Sequence, residues 1–426
     1  MALSLPRGTS DFGPADAIRL NAMRDAVEDT FRRFGFYPIK TPAIELMGTL
    51  NAKAYGEDSK KEIYVLEGAE EGMRYDFTVP LARYIAMNKD LQFPFKRYQI
   101  GDIWRRDEPQ KMRKREFLQA DIDVIGSADV SSDAEIIAAA CLSVERLGVD
   151  DYTVLINSRV FLDSILSMFK MPQERRTSLI RCIDKLGKIG STGAAAQMEA
   201  QGVDMKDAQA ILQFITMQRG DDAALLDELK TAIPDAKSEI ERMARLLELL
   251  KGYGIRGKAK IDLSLARGLD YYTGGIWEII AAENGKRLPT LAAGGRYDRL
   301  IGMYSKRDVP AVGMSIGLSR VFELLEGPEE AKTYARVYIA SIRKEDVPYA
   351  ISVATRLRSS GICADMNLTE RGIAKQMEYA NALRIPYVAI IGGIERQANM
   401  VKLRNMATGE EKLVTLDDCI NELKMV

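Results

Sequence analysis

The sequence predicts an α+β protein of two or three domains, and three observations predict it. Its 426 residues, 46% of them apolar, are more than one compact core organises comfortably. Strand-like runs recur between residues 95 and 316, yet the stretch 171–251 reads as helical throughout. The tail from Thr333 alternates strand and helix patterns, as a separate α/β domain would.

Composition narrows the chemistry before any motif is read. A net charge of −1 gives no global positive field, so a nucleic acid would have to be gripped by local basic patches. The N-terminus MALSLPRGTSDFGP lacks a basic stretch followed by an apolar core, and no apolar run reaches membrane-spanning length, so the expectation is a cytoplasmic protein with no membrane partner. The chain contains no histidine, and its four cysteines (Cys141, Cys182, Cys363, Cys419) lie far apart. Metal sites of the His/Cys type, zinc among them, are therefore not expected, nor is any imidazole-based catalytic triad. The cysteines are expected as reduced, buried thiols. Catalysis must rest on carboxylates, guanidiniums, a bound metal or the substrate's own groups.

Taken in order, Leu20, Met23, Val27, Phe31 and Phe34 recur at helical spacing after Pro14, and Gly35 offers a C-cap. An extended run from Phe36 to Thr41 then meets Pro42. In MRYDFTVPLARYIAMNKD, Asp76 and Thr78 precede a helix that Pro80 suits, so as isolated features both read first as helix caps and second as ligand contacts. Residues 95–126 read as two strands joined by a charged loop. In the second strand Leu118, Ala120, Ile122 and Val124 share one face, and Arg115, Phe117, Gln119, Asp121 and Asp123 share the other. Gln119 and Asp123 then stand about 13 Å apart, room for the two ends of a small zwitterion. The loop from Arg105 to Arg115 carries six Lys/Arg residues against Asp107 and Glu108, an excess suited to phosphate.

From 171 to 251 the pattern is that of a mobile helical insertion without a catalytic constellation. IDLSLARGLDYYTGGIWEII then gives two strands around Arg267, Tyr271 and Tyr272. LAAGGRYDRLIG and AVGMSIGLSRVFELLE follow; in the second, Gly313–Ile316 reads as a strand and Leu318 opens a helix carrying Arg320 in its first turn. VYIAS, ICADMN, YVAII and MVKLRN are the strands expected in the tail.

In this order the segments resemble the three signature motifs of class II aminoacyl-tRNA synthetases. The first would be the helix and strand ending at Pro42, the second the Arg105–Asp123 hairpin, the third the Gly317–Arg320 junction. RGLDYYTGG (Arg267–Gly275) and AAGGRYDRLIG (Ala292–Gly302) resemble the two signatures of the histidyl branch. The resemblance spans nearly the whole chain. It implies a class II antiparallel sheet of six to seven strands flanked by helices, formed by 1–170 and 252–325. It also implies a helical insertion at 171–251, a linker at 326–332, an α/β anticodon-binding domain at 333–426, and a homodimer built through the first motif.

The implied activity is that of a histidine–tRNA ligase, activating L-histidine with ATP and Mg²⁺ and transferring it to the 3′ end of tRNA-His. By resemblance the catalytic residues are Arg105, Arg267 and Arg320. ATP falls to Arg105, Arg113 and Arg320. Histidine falls to Asp76, Thr78, Gln119, Asp123, Arg267, Tyr271 and Tyr272, with Asp123 and Tyr272 on the imidazole. Lys111 and Lys114 are candidates for the acceptor end of the tRNA, and Lys375, Gln376, Lys402 and Arg404 for its anticodon; no Mg²⁺ ligand is singled out. The alternatives are a non-catalytic regulatory or sensor protein of the same fold, and a prolyl- or threonyl-type enzyme, against which the tyrosine pair after Arg267 discriminates.

Overall fold

A computed structural model describes residues 3–51, 62–217, 220–255, 257–267, 271–283, 286–305, 307–325, 332–369 and 371–425. The chain forms two compact units, Met1–Ser10 with Met23–Glu326, and Asp11–Ala22 with Gly327–Val426.

The first unit is organised by one eight-stranded sheet. Its strands are β1 (Tyr37–Pro38), β4 (Phe95–Trp104), β5 (Glu116–Ile125), β6 (Tyr152–Ser158), β7 (Ala259–Ile261), β8 (Gly275–Glu283), β9 (Lys286–Arg296) and β10 (Ala311–Ile316), while β2 (Ile44–Leu46) and β3 (Glu71–Met73) form a separate ribbon. The order is β1-β4-β5-β10-β9-β8-β6-β7. The six central strands are antiparallel; the two short edge strands pair parallel and bring the total beyond the expected six to seven. Of the expected Phe36–Thr41 run only two residues enter the sheet, because β1 leaves it after Pro38.

The alternation read in β5 decides what each face does. Ala120, Ile122 and Val124 join Tyr98, Val154, Trp277, Ile279, Val312 and Met314 in a buried apolar layer. Ala134, Ile136, Ile137, Ala140 and Val144 of the helix Val130–Arg146 cover that layer, as do Met23, Val27 and Phe31 of the helix Pro14–Arg33. Gly35 ends the latter helix at φ 74°, the left-handed position its missing Cβ permits. The opposite face of β5 carries Gln119, Asp121 and Asp123, all buried.

The insertion is built of the helices Gln173–Asp184, Leu186–Ala200, Met205–Thr216, Asp222–Ala232 and Lys237–Gly252, and it is bolted to the sheet unit. Its apolar residues Leu179, Leu212, Leu229, Ile240 and Met243 belong to the same core cluster as the sheet. On its last helix (Lys237–Gly252), Arg242 donates to Asp133 at 2.5 Å and to the carbonyl of Ala128 at 2.8 Å. Asp133, fully buried, also pairs with Arg296 Nε at 2.8 Å, which joins the insertion to the end of β9.

The second unit holds a five-stranded sheet ordered β12-β11-β13-β14-β15, with β11 (Val337–Ser341), β12 (Ala364–Met366), β13 (Tyr387–Ile391), β14 (Met400–Asn405) and β15 (Glu411–Thr415). The first three are parallel and the last two antiparallel. β15, absent from the sequence reading, adds an exposed edge. The expected linker lies outside the described residues except for Lys332. All four cysteines are free; Cys141, Cys182 and Cys419 are buried, but Cys363 is exposed, against expectation.

Replacing Asp133 by alanine leaves the Arg296 guanidinium, 4% exposed, with only the more exposed Asp298 as counter-charge. The expected result is a loss of about 3–5 kcal/mol, read from the urea midpoint, with a smaller loss for Arg242→Ala on the more exposed side.

Candidate active site

The site is assembled along rows that cross the sheet. Opposite one another on neighbouring strands stand Arg97 (β4), Asp123 (β5), Gly313 (β10), Gly295 (β9) and Ile276 (β8). A parallel row carries Gln99, Asp121, Ser315, Ala293 and Glu278. The glycines are required by what lies on them. A Cβ at Gly313 would collide with the Asp123 carboxylate, and one at Gly295 would sit 2.8 Å from the Tyr272 ring.

A small pocket opens over these rows, lined by Thr78, Asp123, Tyr271, Tyr272, Gly294, Tyr297 and Ser315 among others. At its floor the Tyr297 hydroxyl donates to Asp123 Oδ1, and the fully buried Arg97 pairs with Asp123 Oδ2 at 2.5 Å. Burial pushes the Asp123 carboxyl up, while Arg97 and Tyr297 pull it back. Asp123 and Tyr272, the two groups assigned to the imidazole, both line this pocket, and a phenol the sequence reading did not assign, Tyr297, is bonded to Asp123. Tyr297 meets Tyr271 edge to face at 5.9 Å, and Tyr271 lies 4.7 Å from Tyr272. Burial raises both phenols of that pair, keeping them neutral hydroxyls at neutral pH.

Beside Asp123, Gln119 donates its amide to Asp121 Oδ1 at 2.7 Å, which turns the Gln119 carbonyl oxygen outward as an acceptor. Burial pushes the Asp121 carboxyl up to about 7, against the pull of Arg97. Of the two readings the sequence allowed for Asp76, capping is seen: its Oδ1 accepts from Val79 N at 3.0 Å at the start of the helix Thr78–Met87; its charge also reaches Tyr271, Tyr272 and Asp123. Arg74 fixes this turn from behind by donating to the carbonyls of Thr41, Pro42 and Asp102.

The cationic end is distinct. Arg105 donates to the Tyr75 carbonyl at 2.9 Å and lies over Phe117. Arg320 donates to the Thr290 carbonyl at 2.6 Å and to Met112, a residue held at φ 62°, at 3.4 Å. Arg267 pairs with Glu278 at 3.0 Å and faces the Tyr272 ring; Asn157, donating to the carbonyls of Leu263 and Leu265, fixes its approach. Burial lowers the Arg320 guanidinium, and Arg105, Arg113 and Arg267 lower it further, so four like charges converge. An anion between them relieves that repulsion. Burial opposes the charge of Arg267, but Tyr272, Glu278, Tyr271 and Asp184 outweigh it and hold the group above its ordinary value.

Arg113 is half-exposed and pairs with Asp107 at 2.7 Å. Lys111 is exposed, and Lys114 pairs with Glu323 at 2.9 Å. In the second unit Lys375 is exposed, Lys402 lies 3.8 Å from Glu395, and Arg404 pairs with Glu411. Gln376 is a correction: it is fully buried, its amide donating to the carbonyls of Ser341 and Arg371, and is a packing lock with no surface to offer RNA. Sequence reasoning missed Arg97, Asp121 and Tyr297. The histidyl-type segments are joined where Asp298 N donates to Thr273 Oγ1 and Thr273 N to the Arg296 carbonyl; Gly268, Leu269 and Asp270 lie outside the described residues.

Asp121 holds its proton in the folded protein to a higher pH than in the unfolded chain, so between about pH 4 and 7 its contribution to stability falls as pH rises. Asp121→Asn should therefore gain on the parent as pH rises from 5 to 8, by about 2 °C or more in Tm. Thermal melts across that range check it; a constant difference contradicts it.

Comparison with known proteins completes the description. The histidyl-tRNA synthetase family profile matches residues 8–321, and that of an anticodon binding domain matches residues 336–425. The histidine–tRNA ligase of Porphyromonas gingivalis is 34% identical over 97% of both chains, and that of Aeropyrum pernix is 35% identical over 98% of this chain and 97% of its own. The crystal structure of histidyl-tRNA synthetase from Nostoc sp. PCC 7120 superposes with a TM-score of 0.85 at 29% identity, covering 100% of this chain and 99% of that one. With its sheet, pocket and guanidinium cluster in place, the chain belongs to the histidyl-tRNA synthetase family.

Proposed function

We infer that the pocket and the guanidinium cluster perform the two halves of amino-acid activation. The family's activity is histidine–tRNA ligation, with ATP, L-histidine and tRNA as substrates. The observation that carries the residue-level reading is the convergence of Arg105, Arg113, Arg267 and Arg320 next to a pocket floored by Asp123.

In this reading histidine lies with its imidazole on Asp123 and toward Tyr272, its α-ammonium near Asp76, Thr78 and the Gln119 carbonyl oxygen, and its carboxylate toward Arg267. Tyr271 supports the ring pocket. Arg105 holds the α-phosphate of ATP, Arg320 the γ-phosphate, and Arg113 adds a phosphate contact. The substrate carboxylate is ionised at neutral pH and attacks the α-phosphorus without a general base. The bond to pyrophosphate breaks and histidyl-adenylate forms, with the guanidiniums neutralising the charge that develops. The terminal ribose hydroxyl of tRNA-His then attacks the acyl carbon and AMP leaves. A chain without histidine can do this because the proton can pass to a phosphate oxygen of the substrate itself.

Among the described residues no three acidic or sulfur side chains converge as a metal cage. Mg²⁺ would arrive on the phosphates and would supply further neutralisation of phosphate charge. Residues 1–170 and 252–325 are assigned to catalysis, 171–251 to the insertion and 333–426 to the anticodon. Lys111 and Lys114 remain candidates at the acceptor end, and Lys375, Lys402 and Arg404 at the anticodon. Exposed Tyr37, Ile44, Leu46 and Val65, around the first class motif, support a homodimer through that face. No described helix is long and apolar enough to cross a membrane, and a cytoplasmic location is the reading that fits translation.

ATP–pyrophosphate exchange tests the proposal. Exchange should occur with histidine and with no other amino acid, and Arg320→Ala should lower kcat about 100- to 1000-fold with the fold retained. A folded protein silent with histidine would overturn it.

A further inference from the structure

Arg97 is the largest polar side chain buried completely in the first unit, and neither the phosphate chemistry nor the assigned histidine contacts use it. Its Nη2 forms an ion pair with Asp123 Oδ2 at 2.5 Å, and none of its three buried nitrogens makes a hydrogen bond to a described residue. A guanidinium so placed is destabilising unless its charge serves a neighbour. The neighbours are two carboxylates, Asp123 directly opposite on β5 and Asp121 within electrostatic reach.

We propose that Arg97 is a positioning residue for amino-acid recognition: with the Tyr297 hydroxyl it clamps Asp123 as an ionised, fixed acceptor for a ring N–H of the substrate. The inference rests on the reading that histidine occupies this pocket. Each carboxylate oxygen has one holder, Tyr297 on Oδ1 and Arg97 on Oδ2. This fixes the plane of the carboxylate and leaves remaining lone pairs facing the pocket. The clamp also sets the sign of the charge. Asp123 faces Asp76 and Asp121 as well as the Tyr271, Tyr272 and Tyr297 phenols, and Arg97 is the cation paired with it. Without that cation, burial and the two neighbouring carboxylates favour the protonated acid. A protonated Asp123 turns from acceptor to donor on one oxygen and no longer matches a ring N–H.

The role separates from simple structural support by its pH signature. Arg97→Gln should raise the KM for histidine in pyrophosphate exchange about 10- to 100-fold at pH 7, with the KM for ATP changed less than about threefold. The defect relative to the parent protein should shrink as pH rises toward 9, because deprotonation of Asp123 restores the acceptor. Arg97→Lys, which keeps the charge, should recover most of the loss at pH 7. Circular dichroism and thermal melts establish that each variant is folded. A folded Arg97→Gln with an unchanged histidine KM, or with a defect equal for histidine and ATP at every pH, overturns the proposal. If Arg97→Gln does not fold, Tyr297→Phe decides, since it removes one clamp bond without unpairing a buried charge. A histidine-selective rise in KM supports the clamp, and an unchanged KM refutes it. Parent protein that exchanges with no amino acid would instead refute the histidine reading itself.

Discussion

The ion pair between Arg97 and Asp123 spans neighbouring strands with both side chains out of water, and the rest of the site is arranged around it. A carboxylate at the bottom of a pocket keeps its charge only if a cation is built in with it. The sheet supplies that cation from the next strand. It then clears space on the other side with Gly313 and Gly295, so that the carboxylate and the Tyr272 ring lie against bare backbone. Antiparallel register is what brings these residues into one row, and the apolar layer beneath holds the register.

Two electrostatic environments result, joined by one small substrate. Asp76, Asp121 and Asp123 make one end of the pocket acidic, and four guanidiniums make the adjoining end strongly cationic. In the proposed placement, a zwitterion with an imidazole at one end and a carboxylate at the other fits this gradient, with its reacting group toward the guanidiniums. The gradient also explains how a protein without histidine carries out acyl activation. The nucleophile arrives ionised, and the protein's task is to neutralise phosphate charge and hold geometry.

Much of this was legible in the sequence, where periodicity or motif order carried the information. The alternation from Leu118 to Val124 identified both faces of β5 correctly, and Met23, Val27 and Phe31 marked the buried side of the first helix. Arg97 was missed because pairing across strands is not a local property. A signal was present nonetheless: a hairpin closed symmetrically about Gln110 places Arg97 opposite Asp123. Tyr297 had no such signal, since it follows β9 and reaches Asp123 over β10, the strand that lies between β9 and β5. Gln376 was misread as a surface contact although Ile373, Met377 and Ala380, at helical spacing, put it on the buried side of its helix. The fold of the insertion followed from composition, but its attachment through Arg242 and Asp133 depends on tertiary placement that no local pattern encodes.

The central claim is that an ionised, clamped Asp123 receives a ring N–H of bound histidine. Because the chain contains no histidine, ¹⁵N NMR of ring-labelled histidine bound to the protein is free of imidazole background. The account predicts two well-separated nitrogen resonances from one fixed tautomer, a pattern lost in Asp123→Asn. A single averaged pattern like that of free histidine, unaffected by the substitution, would contradict it.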